Sequence, residues 1–395
     1  FMFGTGPIKG FATTLIIGII TSFFTAVFIT RLIWTSMAES GKASKYSFTT
    51  KISEGLLDGV NVNWIGIRKI GYIVLGSILL ICAVSLTFRG LESGIDFTGG
   101  RNYVVRFEQK VSTADVSELL EPNFPDASVT VITIGDENQV RISTNYKIAS
   151  NDKSVDDEVE AIIYESLKPV IANDGVDKEM FLKGYVVENG VASLSTSETV
   201  SSLGVQSSQK VGPAIADDIK RDAVLAVLFS LIGIFLYILI RFRNVSYSFG
   251  AVVSLMHDTL IILGTYSLFY SIMPFSMEVD QSFIAAILTI IGYSINDTVV
   301  VFDRVRELRT LYPTRDIKET INDAVNATLV RTFSTSFSTF IVLLVIFLLG
   351  GETIRGFVFA LMIGVIAGTV STLFISVPLA YDVTKKKKNE VIEKK

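Results

Sequence analysis

Ile290-Ile291-Gly292-Tyr293-Ser294-Ile295-Asn296-Asp297-Thr298-Val299-Val300-Val301-Phe302 is an apolar stretch interrupted by one carboxylate, and no other charge lies between Asp280 and Asp303. A helix crosses the hydrocarbon of a bilayer with about 20 apolar residues. The stretch therefore reads as a membrane span and points to a polytopic membrane fold. A carboxylate within such a span is disfavoured by about 2.5–3.5 kcal/mol on insertion scales, and residues of this kind face a bundle interior or a wet cavity. Ser294, Asn296 and Thr298 surround Asp297 with uncharged hydrogen-bonding groups. An ionisable group so placed can take up and release a proton as its surroundings change. The competing reading is a structural carboxylate satisfied by neighbouring hydroxyls.

The rest of the chain agrees with a membrane bundle. It has 395 residues, of which 49% are hydrophobic. Seven apolar runs reach spanning length: Phe11–Trp34, Ile70–Phe88, Ala223–Ile240, Val245–Ile272, Ser282–Phe302, Thr332–Leu349 and Gly356–Tyr381. The net charge of -4 suggests no nucleic-acid partner. The one cysteine, Cys82, lies in an apolar run and reads as a small hydrophobe. There is no metal-spaced Cys/His cluster, and the one histidine, His257, cannot build a His-based metal site alone. No metal or other cofactor is expected. No signal peptide is visible. The chain opens Phe1-Met2-Phe3-Gly4-Thr5-Gly6 directly before a span, as the tail of a longer polypeptide would.

Basic residues orient the spans. Lys42, Lys45, Lys51, Arg68 and Lys69 follow the first span. Arg241 and Arg243, the segment with Arg304, Arg306, Arg309, Arg315 and Lys318, and the tail Lys385-Lys386-Lys387-Lys388 complete four basic segments. All four share one side if the first span runs outward to inward and the spans then alternate. That side is assigned to the cytoplasm, which leaves Arg89–Asp222 outside. This outer region reads as strand, helix, strand, strand, helix, strand, over Asn102–Phe107, Val111–Glu121, Ser128–Ile134, Gln139–Thr144, Val155–Ala172 and Val205–Val211. The order suits a small ferredoxin-like α+β sandwich. Asn173–Ser202, rich in Gly, Ser and Asp, is expected to be a mobile insertion.

Two patterns tie the spans together. Gly4–Thr30 overlays Gly350–Ser376 without a gap, with ten identities in twenty-seven positions and Lys9 over Arg355. Both copies run the same way, as in a parallel repeat. Ile317, Ile321, Ala324, Val325, Thr328 and Leu329 fall at helical spacing, an amphipathic cytoplasmic helix entering the sixth span.

Arg331 lies where that helix enters the bilayer, about 28 Å from the outer end of its span, and Asp297 about 24 Å from the outer end of its own. The two can stand at similar depth, and contact would favour the ionised carboxylate. The alternative is Arg331 snorkelling to lipid headgroups. His257-Asp258 in the fourth span extends a proton path outward from Asp297, or is a self-satisfied structural pair. Gly94-Ile95-Asp96-Phe97-Thr98-Gly99-Gly100 joins the second span to the outer region. It lacks the Lys-Ser/Thr of a phosphate loop and reads as a hinge or docking joint. Gly18, Ser22, Gly364, Gly368 and Ser371 allow close helix packing. The coupling ion suggested by Asp297 is H⁺, although Asp with Asn, Ser and Thr also suits Na⁺.

Gly292 to Glu307 resembles the signature of the SecF half of SecDF, in the RND superfamily. Asp96-Phe97-Thr98-Gly99-Gly100 resembles the motif opening its periplasmic domain. His257-Asp258, Thr328-Leu329-Val330-Arg331-Thr332 and the Gly-rich last span also match. The resemblance covers about Val60 to Asp382, while Phe1–Trp34 resembles the final helix of SecD. It implies an RND-like helical bundle with the inserted ferredoxin-like domain. The division is 1–34 for the last helix of a SecD-like half, 35–69 for a cytoplasmic linker and 70–88 for the first SecF-like helix. The periplasmic domain takes 89–222, five membrane helices 223–382 and the basic cytoplasmic tail 383–395.

The implied function is proton-motive-force-driven assistance of preprotein export in the bacterial inner membrane, not enzyme catalysis. Proton transport falls to Asp297 and Arg331, with Asn296, Thr298, His257 and Asp258 as candidates beside them. Asp96, Phe97, Gly99 and Gly100 form the periplasmic joint. The implied partners are the SecYEG channel, the SecD half, YajC, YidC, unfolded preproteins and membrane lipids. The competing functions are an RND-type exporter of lipids or small apolar molecules, and a non-transporting scaffold.

Overall fold

The computed structural model describes residues 6–41, 55, 59–134, 136–150, 152–173, 175–188, 190–195, 202–273 and 275–393. Lys42, Lys45, Lys51 and the Gly4 end of the repeat lie outside them. In chain order, α1 (Gly6–Phe24) passes through a π-helical turn (Thr25–Ile29) into α2 (Thr30–Glu39), followed by α3 (Trp64–Phe88) and the short α4 (Ile95–Thr98). The outer domain contains β1 (Gly100–Arg106), α5 (Thr113–Leu120), β2 (Val129–Thr133), β3 (Gln139–Thr144), α6 (Lys153–Leu167), α7 (Lys178–Lys183), β4 (Tyr185–Glu188), β5 (Val191–Leu194) and β6 (Gly204–Val211). The chain returns through α8 (Pro213–Phe242), α9 (Val245–Phe269), α10 (Gln281–Leu311), α11 (Ile317–Leu349) and α12 (Glu352–Ser371). A second π-helical turn (Thr372–Ser376) then leads into α13 (Val377–Glu393).

Among the described residues, seven helical rods are long and apolar enough to cross a membrane. In hydrocarbon every backbone polar group must be paired internally, which a helix achieves within itself. Asn63, Asn244, Asp280 and Asp316 cap four of the rods by accepting from first-turn N–H groups. Ile317 to Leu329 forms the first turns of one continuous α11, and its apolar face buries Ile321, Ala324 and Val325.

Small residues set the bundle spacing. A Cβ added at Gly364 would lie 2.3 Å from Ile290 Cγ1, and one at Gly368 2.9 Å from Ser294 Cβ. Only glycine allows α12 to lie this close to α10. Cys82 of α3 is 2% exposed and packs against Gly264 of α9, as a small apolar side chain would.

The internal repeat has a structural counterpart. The π-helical turns fall at Thr25–Ile29 and Thr372–Ser376, one residue from coincidence on the overlay of the two copies. Phe11 and Phe357, which occupy equivalent positions, meet edge to face with centroids 6.0 Å apart. Equivalent residues of two parallel copies can touch only near the axis that relates them, so the copies face each other across it.

The outer domain is a four-stranded antiparallel sheet in the order β2-β3-β1-β6. That is the ferredoxin-like order expected from βαββαβ. Tyr103, Val105, Val140 and Ile142 from the sheet share a buried core with Val116 and Leu120 of α5 and Val159, Ile163 and Leu167 of α6. The segment Asn173–Ser202 departs from the expected loop where it is described. It carries α7 and the β4–β5 hairpin, and Phe181 and Tyr185 are buried in the same core at 1% and 2% exposure. Its Gly-, Ser- and Asp-rich composition concealed these two anchors, whose burial offsets the ordering entropy of a short insertion.

Candidate proton site in the membrane core

Asp297 lies on the inner face of α10 and is 4% exposed. The residue spacing brings Ser294, Asp297, Thr298 and Val301 to one side of the helix, and all four are buried. Asn296, one position earlier, is turned about 100° away and lies exposed. Asp297 faces hydroxyls. Ser336 Oγ of α11 donates to Asp297 Oδ2 at 3.4 Å, and Thr369 Oγ1 of α12 lies 2.7 Å from Ser336 Oγ. Next to it, Thr298 Oγ1 and Thr372 Oγ1 of the π-helical turn are 2.9 Å apart.

Arg331 is exposed on α11 and forms no ion pair with Asp297. Five residues separate Arg331 from Ser336, about 7.5 Å of rise and 140° of rotation. The similar depth expected from the sequence is thus not matched by a shared helix face. The hydroxyls of Ser336 and Thr335 face Asp297, and the Arg331 charge acts on it without direct contact. Ser336 belongs to α11, so small movements of α11 against α10 change what Asp297 touches.

A second carboxylate lies one turn outward. Asp258 of α9 is 1% exposed, and its Oδ2 accepts from Ser294 Oγ at 2.8 Å and from Ser371 Oγ at 2.9 Å. His257 Nδ1 lies 3.1 Å from Asp258 Oδ1, while its buried Nε2 has no protein partner. Ser294 sits one turn from Asp297, so the two carboxylates bracket one polar seam between α9, α10, α11 and α12. Above it, Phe283, Ile287, Ile290 and Ile291 of α10 pack with Leu361 and Val365 of α12 in an apolar plug towards the outer domain.

The structure thus brings together Asp297, Thr298, His257 and Asp258, and leaves Asn296 and Arg331 on exposed faces. Sequence reasoning missed Ser336, Thr369 and Thr372 as members of the seam. It had read Ser371 only as a small packing residue. The available signal was Thr332 and Ser336 at i, i+4 spacing in the sixth span, in register with the polar face of α10.

The residues between α3 and β1 form a built joint. Asp96 Oδ2 accepts from Gln281 N, the first residue of α10, at 3.2 Å. Phe97 is buried in the core beside Ala216 of α8. Gly99 has φ 73°, in the region that favours glycine, and a Cβ on Gly100 would lie 2.7 Å from Ile95 Cγ2.

Residues 192–386 match the family described as protein export membrane protein SecD/SecF, C-terminal, and residues 84–111 match the SecD/SecF GG motif. The chain is 37% identical over 328 residues to the protein translocase subunit SecF of Rhodothermus marinus, covering 83% of this chain and 94% of the relative. It is 32% identical over 386 residues to the SecDF subunit of Brucella abortus, covering 96% of this chain and 44% of the relative. The crystal structure of SecDF from Thermus thermophilus, a translocon-associated membrane protein, superimposes with a TM-score of 0.75 at 28% identity. That match covers 97% of this chain and 46% of the other. The chain therefore spans under half the length of the fused SecDF relatives.

Proposed function

The chain belongs to the SecF family of protein translocase subunits, and on that premise we propose that it uses the proton gradient to help the Sec channel release preproteins outward. Its role in Sec-associated protein translocation follows from the family. The finer reading rests on Asp297, a carboxylate enclosed by hydroxyls in the middle of a membrane bundle. Asp258, Ser294 and Ser371 extend the polar seam, and Arg331 approaches Asp297 when α11 turns or shifts. Proton binding at Asp297 changes which packing of α10 against α11 and α12 is favoured. One charge moved through 100 mV is worth about 2.3 kcal/mol. Two protons approach the 5.5 kcal/mol or so needed to reverse a two-state balance.

The basic ends of α8 and α10 support a reading in which the cytoplasm lies opposite the outer domain and that domain in the periplasm of a bacterial inner membrane. The SecYEG channel and a SecD half are the partners in this reading, with YajC and YidC as further members of the assembly. An exporter of apolar molecules is the weaker alternative. The cavity of about 380 Å³ at the root of the outer domain is lined by Asp96, Arg141, Glu278, Asp280 and amide side chains, which suit polar contents.

The test is proton-gradient-stimulated release of a secretory protein from vesicles that contain the complete translocase. Asp297→Asn keeps size and most hydrogen bonding but cannot titrate. It should abolish the stimulation while insertion stays normal, and Arg331→Ala should weaken it. Wild-type stimulation in Asp297→Asn would show the carboxylate to be structural.

A further inference from the structure

The outer domain is fastened to the helix that carries Asp297. Gly94 N donates to Val279 O at 3.0 Å and Val279 N to Glu92 O at 2.7 Å, a backbone bridge between the exit of α3 and the approach to α10. From the sheet, Arg141 of β3 reaches down, and its Nη1 lies 3.3 Å from Glu278 Oε2. Asp96 holds Gln281 N, and Asp280 Oδ1 caps α10 by accepting from Phe283 N at 2.8 Å. Gly94 lies beside this group, where a Cβ would be in ordinary contact with Glu278 Oε2 at 3.5 Å.

Three carboxylates, Asp96, Glu278 and Asp280, thus line one cavity with Arg141, and Glu92 stands beside Glu278 on its far side. From α9, Tyr266 faces them with its hydroxyl donated to Gly356 O, and Arg355 precedes that glycine on α12. Arg141 balances one negative charge. Each further ionised carboxylate in the closed joint meets like charges in a partly desolvated space. We infer that the joint is a proton-responsive latch, with Arg141 as its positioning residue, closing the outer sheet onto the first turn of α10 when Glu92, Glu278 and Asp280 are neutral and loosening as these three ionise. The inference goes beyond proton transfer at Asp297 and does not depend on it.

The electrostatics of the groups outside the membrane agree in sign. Burial pushes Asp280 from the ordinary 3.8 up to about 6, with Asp96 and Glu278 adding to the shift and the N-cap bond and Arg141 opposing it. Burial also raises Glu278, with Arg141 opposing, and raises Glu92, with Glu278 adding. A raised carboxylate binds more protons in the closed joint than in the open one. Closure is then strongest in acid and is lost as pH rises from the ordinary carboxylate range to about 6.

Hydrogen exchange measures this opening directly, because the Gly94 and Val279 amides exchange only when the bridge parts. The experiment follows peptides covering 89–100 and 275–283 in the lipid-reconstituted protein between pH 4 and 8, corrected for intrinsic exchange rates. Protection should fall about a hundredfold from pH 4 to 7 through Asp280 alone. Asp280→Asn, which can still cap α10, should lose most of that fall. Arg141→Gln should extend the fall to higher pH, and Arg141→Lys should restore the wild-type range. Asp297→Asn should leave the profile unchanged, which separates this inference from the proton-transfer reading. Protection independent of pH in the wild type, or an Asp280→Asn profile superimposable on it, would overturn the latch.

Discussion

The contrast between Asp297 and Asp303 shows how context assigns roles to one residue type. Asp303 lies two turns further along α10 with its side chain 35% exposed, and it pairs with Arg241 and Arg306 at the basic end of the bundle. Asp297 makes no ion pair among the described residues and accepts from the hydroxyl of Ser336, with Thr335 of the same helix beside it. A hydrogen bond to a charged group contributes about 1.5–3 kcal/mol. Ser336→Ala should therefore slow gradient-driven translocation about tenfold, and Ser336→Thr, which keeps the hydroxyl, should retain most of the rate. The measurement is the initial rate of substrate release at fixed gradient. An unchanged rate in Ser336→Ala would remove this hydroxyl from the pathway.

Among the elements, α10 and α12 carry the site, and their spacing is set by glycine. A methyl at Gly364 runs into Cγ1, Cδ1 and Cγ2 of Ile290, all within 2.7 Å. Overpacking of this kind destabilises by about 1–3 kcal/mol. Gly364→Ala should lower the thermal midpoint in detergent, and adding Ile290→Ala, which removes all three atoms, should recover part of the loss. Additive effects of the two changes would mean that the helices do not meet at this point. At the end remote from the outer domain, α11 is held to the start of α3 by side-chain amides. Asn326 Oδ1 accepts from Trp64 Nε1 at 2.9 Å, and Asn322 Oδ1 from Ile65 N at 3.0 Å. These bonds lie on the same helix as Arg331 and Ser336 and anchor α11 at this end.

For the whole molecule, the proposed orientation follows from the basic residues at one end of the rods and the outer domain at the other. Cysteines placed at exposed positions in a Cys82→Ala background test it. Ser208→Cys on β6 should react with an impermeant thiol reagent in intact cells stripped of their outer membrane. Thr314→Cys, between α10 and α11, should react only after the inner membrane is opened. The reverse pattern would invert the proposed topology, and with it the side on which the latch meets acid.

The sequence alone carried the helical rods, the repeat and the βαββαβ order. These depend on local quantities: the length of apolar runs, period-two alternation and residue-by-residue identity. It also singled out Asp297, because an ionisable group is conspicuous wherever the surroundings are apolar. The partner it offered for that group was Arg331, and it did not single out Ser336. Depth along a helix is a matter of counting, but facing depends on rotation and packing, and five residues were enough to turn Arg331 away from Ser336. The hydroxyls of Ser336, Thr369 and Thr372 were indistinguishable in the sequence from those that bond back to their own helix, as Thr339 does to Thr335. Phe181 and Tyr185 were hidden by the polar residues around them. Arg141 and Glu278 are 137 positions apart, and only the folded chain, by seating the sheet on the first turn of α10, brings that pair together.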